Sequence, residues 1–379
     1  LRTGELARAG AIPHTPYYGT VDATPLFLVL LARYAAWTGD LTLFHELRNV
    51  VEQALAWMAT HGDQDGDGYL DYQRRSERGL ENQGWKDSHD AIMNADGSLA
   101  TPPIALVEVQ GYAYLAKIGV ADLYERAGDE DRAAILRREA ADLRTRFNRD
   151  FWLDDKGCYA LARQAEGRLA AVVSSNAGHA LWTGIADVEK ARLTADRLLA
   201  EDMFSGWGIR TLSAQERRYN PNGYHVGSVW PHDNALIVAG LRHHGCDAAA
   251  KRIFMAMLDA AMDFEQYQLP ELFAGFPRET YGIPVRYPVA CRPQAWAAGT
   301  FPSMLGSMLG LIPEAFAHRL RVVRPLLPDS ASYIELDKLR VGDATVALRF
   351  ERSNDGVTVR VLSVHGPLDV LVEGASVRA

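Results

Sequence analysis

The chain has 379 residues, 48% of them hydrophobic and 23% charged, a composition typical of a soluble globular protein with room for one large core or two ordinary ones. Forty Lys and Arg against 48 Asp and Glu leave a net charge of −8; that charge repels a phosphate backbone, no basic run reverses it locally, and no nucleic-acid partner is expected. No apolar run approaches the roughly 20 residues of a membrane helix, so no membrane partner is expected either. The three cysteines, Cys158, Cys246 and Cys291, are scattered, odd in number and without metal-site spacing. They read as plain thiols in a reducing compartment, which makes the cytoplasm the expected location. Oligomeric state is not legible.

Helix follows helix for most of the length. Pro25 to Trp37 sets Leu26, Phe27, Val29, Leu30 and Tyr34 at helical spacing and stops at Gly39. Leu41 to His61 continues with Phe44, Leu47, Val50, Val51, Leu55 and Met58. Ile104 to Ala127 is long and closes at Gly128-Asp129, and Asp131 to Phe147 follows with charges on its outer face. Further helices are expected over 175–182, 187–200, 229–244, 248–262 and 294–309. Between them, 63–103, 203–228 and 263–293 exceed the roughly 12–15 residues of an ordinary loop. They carry too many aromatic residues for disorder, so they read as ordered loops converging on one face. Helical hairpins with functional loops at one end suit a mainly α toroid. Nine helices are fewer than the twelve of a closed (α/α)6 ring, so either some are missed or the ring begins upstream of Leu1. After about Pro328 the period changes to two: Tyr333–Leu336, Ala344–Phe350, Val357–Leu362 and Asp369–Glu373 read as strands, with a hairpin turn at Asn354-Asp355-Gly356. The expected division is 1–328 as a toroid catalytic domain and 329–379 as a small antiparallel β-rich domain.

Two acidic stretches stand out. Asn82-Gln-Gly-Trp-Lys-Asp-Ser88 and Leu269-Pro-Glu-Leu-Phe-Ala-Gly275 each set a carboxylate among aromatic and small residues. A pair of carboxyl groups facing each other across a sugar is the minimum equipment for glycoside hydrolysis. Asp87, two residues after Trp85, reads as a proton donor whose pKa burial would raise, provided that Lys86 points away. Its plain alternative is a helix N-cap at Asp87 or Ser88 running through Ile92. Asp90 is a rival or a hydrogen-bond partner. Glu271 follows Pro270, which fixes the backbone presenting it, and a glutamate among Leu, Phe and Gly should face a wet cavity.

Four motifs in order resemble the bacterial amylo-α-1,6-glucosidase or glycogen-debranching-like family: residues 82–88, Pro102–Tyr112, Gly227–Ile237 and 269–275. The resemblance reaches about residue 320. It implies an (α/α)6-toroid glycoside hydrolase, complete or lacking its first helices, with the W-x-D loop carrying the general acid (Asp87) and the L-P-E-L segment the general base (Glu271). An inverting mechanism on α-glucosidic bonds follows, of glucan α-1,6 branches or of a small α-glucoside, with the carboxyls roughly 6.5–9.5 Å apart. Within this sequence no counterpart of that family's N-terminal β domain and earliest helices is expected.

Several residues suit sugar binding. Tyr18 and Asp22 precede the first helix, Asp22 doubling as its N-cap. Trp85 and Trp207 are sugar platforms beside glycines, and Trp230 and His232 offer a stacking face and a donor, with core packing and helix capping as their alternatives. Lys86, Asp90 and Arg278 complete the set; Arg278 and Arg292 flank Glu271 and either orient it or stay solvated. No cofactor is expected, with one exception held open: Asp63-Gln-Asp65-Gly-Asp67-Gly-Tyr-Leu-Asp71 matches the first nine positions of an EF-hand calcium loop, but position twelve is Arg74. Its alternative is a tight acidic turn in which Gly66 and Gly68 supply positive φ. Two other classes remain beside hydrolysis: a sugar isomerase or epimerase using His61, His89, His225 or His232 as base, and a catalytically silent glucan-binding module.

Overall fold

In the computed structural model of the chain, the described residues are 8, 19–76, 79–354, 356–374, 376 and 377. Tyr18, and Asp355 of the hairpin turn, therefore lie outside the described residues. Among those described, nine helices of eight residues or more succeed one another: α1 (Ala23–Thr38), α2 (Thr42–Thr60), α3 (Val107–Arg126), α4 (Glu130–Asp150), α5 (Asn176–Thr183), α6 (Val188–Leu198), α7 (Pro231–His243), α8 (Asp247–Met262) and α9 (Thr300–Leu309). Every expected helix is present with ends moved by at most three residues, except the last: the stretch expected over 294–309 is interrupted at Gly299 into a short turn, Ala295–Ala298, and α9. Local chemistry sets those ends. α1 stops where Gly39 turns left-handed at φ 65° and donates its N–H back to Ala35. α4 starts where the Asp129 carboxylate accepts from the Arg132 amide, with Glu130 and Asp131 in the first turn.

The packing alternates. α1 packs on α3, α3 on α5, α5 on α7 and α7 on α9, while α2, α4, α6 and α8 each back onto the helix before them. The odd-numbered helices thus form an inner succession and the even-numbered ones an outer layer. Burial follows: α3 is buried nearly all round through its first half, from Val107 to Ala113, whereas α4 buries one stripe, Ala133, Leu136, Ala140, Leu143 and Phe147. Inner helices also bury polar groups at their N-terminal ends, Glu108 and Gln110 on α3 and His232, Asp233 and Asn234 on α7.

The long loops cross one another on one side of this layer. Isolated β-bridges join Ser174 to Leu212, Arg210 to Val229, Val229 to Phe273 and Phe273 to Arg286. Residues from three connections, 151–175, 199–230 and 263–299, are thereby stitched edge to edge. Gly275 shows how closely they approach: a Cβ there would lie 1.8 Å from the Gly227 carbonyl oxygen. Gly84 is as tight, with Leu106 Cδ1 2.2 Å from a would-be Cβ.

The C-terminal part differs from the expected single antiparallel unit. Strands β1 (Leu311–Glu314), β2 (Arg319–Val323), β3 (Tyr333–Val341), β4 (Ala344–Ser353), β5 (Gly356–His365) and β6 (Asp369–Glu373) form two sheets. β3, β4 and β5 are an antiparallel meander, with Ser353 paired to Gly356 across the turn. β6 leaves it and runs parallel to β2, Asp369 opposite Arg319 and Glu373 opposite Val323. The reason is apolar: Val370 and Val372 join a second core built from Leu309, Ala315, Leu320, Val322 and Leu327 together with Val346, Leu348 and Phe350. That core reaches back to α9, upstream of residue 328, and takes in Trp37 of α1.

Candidate active site

The Asp87 loop is held from both sides. Val21 donates its N–H to the Gln83 carbonyl at 2.8 Å, placing Asp22 beside the loop. Asn82 accepts from the Tyr72 hydroxyl and donates to the Ser88 carbonyl, and the Ser88 hydroxyl lies 2.9 Å from His225 Nδ1. No helix begins at Asp87 or Ser88; a single turn, Ala91 N–H to Ser88 carbonyl, is all that follows. The capping alternative is thereby removed. Asp87 is exposed over its surface as a whole. Enough protein surrounds its carboxyl, however, to raise the pKa above the ordinary range, and the Glu271 charge adds to that rise.

Glu271 is 9% exposed and held by three donors. The Tyr224 hydroxyl donates to Oε1 at 2.7 Å, the Gln294 amide to the same oxygen at 3.3 Å and the Cys291 backbone N–H to Oε2 at 3.1 Å. Burial, then the bond and charge of Glu271, raise the Tyr224 pKa, and the Asp87 charge contributes as well. Asp87, Glu271 and Tyr224 therefore share one electrostatic neighbourhood. Neither flanking arginine orients Glu271: Arg292 pairs with Glu265, and Arg278 with Asp259 at 2.7 Å.

An aromatic cluster adjoins both acids. Trp85, Trp230 and the adjacent Leu272 are buried together, with Tyr224 and Tyr287 packed against them. Trp85 stacks on His179 at 5.9 Å and meets His225, Trp230 and His232 edge-on. His232 stacks at 4.0 Å on Trp296, which is half exposed. The N-cap position of α7 belongs to Trp230 and not to His232, and burial drives the His232 pKa down to about 3, so the ring is neutral. Trp230 lies flat on His225 at 5.0 Å and spends its indole N–H on the Tyr224 carbonyl, which makes it the floor of the cluster. Asp22 is 7% exposed. It stands at the N-cap position of α1 without a capping bond from its side chain, which takes the Thr20 hydroxyl instead. Burial raises its pKa and Asp87 adds to the rise.

Three expected residues stand elsewhere. Lys86 points away from Asp87 and is 1% exposed, its ammonium donating to the Thr211 carbonyl at 2.7 Å and to Ser175. Burial lowers its pKa to about 8 against the opposing pull of Asp233 and Glu108. The ammonium is thus a buried prop beneath Trp85, which corrects its expected place among the substrate contacts. Trp207 is 2% exposed in the main core, with the Arg278 guanidinium 4.2 Å from its ring centre, so the face that neighbouring glycines were expected to open is covered. Asp90 is half-buried, and its carboxylate makes no hydrogen bond or ion pair with the described residues.

The sequence reading missed the layer underneath. His179 bridges the Tyr112 hydroxyl at 2.6 Å and Asp233 at 2.7 Å. Burial pushes Asp233 up, but His179 and Lys86 outweigh it and hold the carboxyl below its ordinary range. Burial raises Glu108 despite the opposing charges of His179 and Lys86. The available signal was a lone acid in an apolar run, Glu108 within Ile104–Val109, because a buried charge persists only where partners meet it.

A family model described as the mannosylglycerate hydrolase MGH1-like glycoside hydrolase domain matches residues 24–275. The chain belongs to this family. That family is one of glycoside hydrolase domains. The matched span contains both acid loops, α1 to α8 and the buried layer beneath Trp85. Among solved structures, a sialidase superposes with a TM-score of 0.70 at 14% identity, over 94% of this chain and 33% of that one. A GH78 family rhamnosidase of Bacillus sp. GL1 gives 0.64 at 17%, over 94% and 34%. A GH63 mannosylglycerate hydrolase from Thermus thermophilus gives 0.45 at 17% identity over 53% and 45%, too slight a likeness to bear on the fold. The MGH1-like chain thus spans about a third of the length of the first two. No helix among its described residues is long and apolar enough to cross a membrane.

Proposed function

We propose that the chain hydrolyses an α-glycosidic bond with inversion, Asp87 protonating the leaving oxygen and Glu271 activating water on the opposite ring face. The observation that supports this reading is that two carboxyls far apart in the sequence share one electrostatic neighbourhood: burial raises the Asp87 pKa, and the Glu271 charge adds to that rise. Their environments also differ in the sense the roles need. Asp87 carries a raised pKa, as a donor must. Glu271 is fixed by Tyr224, Gln294 and the Cys291 amide, as a group aligning a water must be. Half-exposed Trp296, stacked on His232, offers a ring face to a sugar, and Asp22 suits the closed end of the pocket.

The substrate reading is a small α-glycoside, in keeping with the mannosylglycerate hydrolase named by the family model; a glucan α-1,6 branch is the alternative that the debranching-like motifs support. The inner and outer helices are proposed to be most of an (α/α)6 toroid, with residues 329–379 as a small appended domain. Free Cys158, Cys246 and Cys291 suit a cytoplasmic location.

The test is a panel of α-glucosides and α-mannosides, including glycerate conjugates and a branched glucan, read by NMR at early times. Inversion releases the β anomer first, and an α anomer would overturn the mechanism. A product of unchanged mass would identify an isomerase, and glucan binding without turnover over hours a silent module.

A further inference from the structure

We propose that the loop between α2 and the acid loop binds calcium through Asp63, Asp65 and Asp71. One carboxylate oxygen from each lies within 4.8 Å of the other two. Oxygens on opposite sides of a calcium ion stand roughly 4.6–5.2 Å apart, twice the usual Ca–O distance. The spacing therefore admits one shared ion.

Asp71 points to a ligand independently of the cluster. It is 4% exposed, its Oδ2 accepts from the Gln64 amide at 3.1 Å, and its Oδ1 is buried with no hydrogen-bond partner. A buried carboxylate oxygen left bare is costly, and beside two further carboxylates it is costlier. Among the described residues no Lys or Arg pairs with Asp63, Asp65 or Asp71; Arg163 takes Asp67 alone. The three charges thus lack a compensating cation. The set is all oxygen, which disfavours zinc, and it sits on a glycine-rich loop that adapts to the larger ion better than to octahedral magnesium. Arg74, which fills the place of the twelfth-position glutamate, is engaged with Glu81.

The loop is wired to the candidate acid. Asp71 donates its amide N–H to the Gly62 carbonyl, Tyr72 pairs with Ile104, and the Tyr72 hydroxyl reaches Asn82, which holds Ser88. An ion at Asp71 would stiffen the path that ends one residue from Asp87.

The whole chain, stripped with chelator, is melted and titrated with calcium, using terbium luminescence as a second readout. The expected result is a midpoint rise of roughly 3–6 °C at calcium about 100-fold above the dissociation constant, with magnesium at matched ionic strength giving less than half of it. Asp65→Asn, at an exposed position where the amide keeps the hydrogen bond from the Asp67 N–H, should fold normally and lose most of the rise. Asp71→Asn should lose it too; if that variant does not fold, the Asp65 variant carries the test. No shift with calcium, an equal shift with magnesium, or a full shift in a folded Asp65→Asn chain would each overturn the site. None of these readouts depends on turnover, so failure here is separable from failure of the hydrolase reading.

Discussion

At the level of single residues, the proposed division of labour between Asp87 and Glu271 rests on their environments. A donor must hold its proton at working pH and a base must be aimed, and each side chain has the surroundings for one of these tasks. Asp87→Asn and Glu271→Gln should each lower kcat by about 10²–10⁴-fold while the melting midpoint holds; near-full turnover in either would remove it from the site. Their coupling is measurable without substrate. Glu271 raises the Asp87 pKa, so Glu271→Gln should lower it, read from the Asp87 carboxyl resonance in a pH titration. The sign carries into kinetics. In the proposed mechanism Asp87 works protonated, so kcat/KM should fall as pH rises through its raised pKa, with an alkaline limb above the usual carboxylate range. Tyr224→Phe removes the shortest bond to Glu271 and should lower kcat about tenfold, roughly the value of one hydrogen bond to a charged group, with little change in KM.

At the level of elements, the site belongs to loops that hold one another. Val229 pairs with both Arg210 and Phe273, and Gly275 meets Gly227 with no space for a side chain. Gly275→Ala should therefore force the 203–228 and 263–293 loops apart, costing about 1–3 kcal/mol in urea unfolding. Because Glu271 lies in the same short segment, kcat should fall alongside; wild-type stability in this variant would show that the two loops do not share their packing. The helices beneath supply rigidity through polar groups: Lys86, Glu108, His179 and Asp233 are all buried at the inner ends of α3, α5 and α7 or beneath the acid loop. Patterning made those helices legible, because an apolar stripe repeats every turn. It did not reveal the polar layer, since single charged residues in apolar runs carry no period.

At the level of the whole molecule, the second core binds the C-terminal sheets to the helices through Leu309 of α9 and Trp37 of α1. Phe350 is wholly buried in that core, and Phe350→Ala should cost about 3–5 kcal/mol. With the cores sharing α1 and α9, the loss should appear as one transition at lower temperature in calorimetry; a separate early transition with the helical melt unchanged would show the sheets to be an independent unit.

Residue order alone determined the nine long helices among the described residues, four of the six strands in the two C-terminal sheets and the two acid motifs, because each is a local pattern: a helical period, a period of two, a carboxylate among helix breakers; β1 and β2, short and inside the part read as the helical toroid, were not legible. Tertiary structure decided what no local pattern encodes. It turned Lys86 inward, covered Trp207 with Arg278, sent β6 to β2 rather than to the meander, and gave Glu271 its partners in Tyr224 and Gln294 instead of the nearby arginines. Each of those outcomes depends on which distant surface is left to bury or to bond, and that is settled only when the loops close over one another.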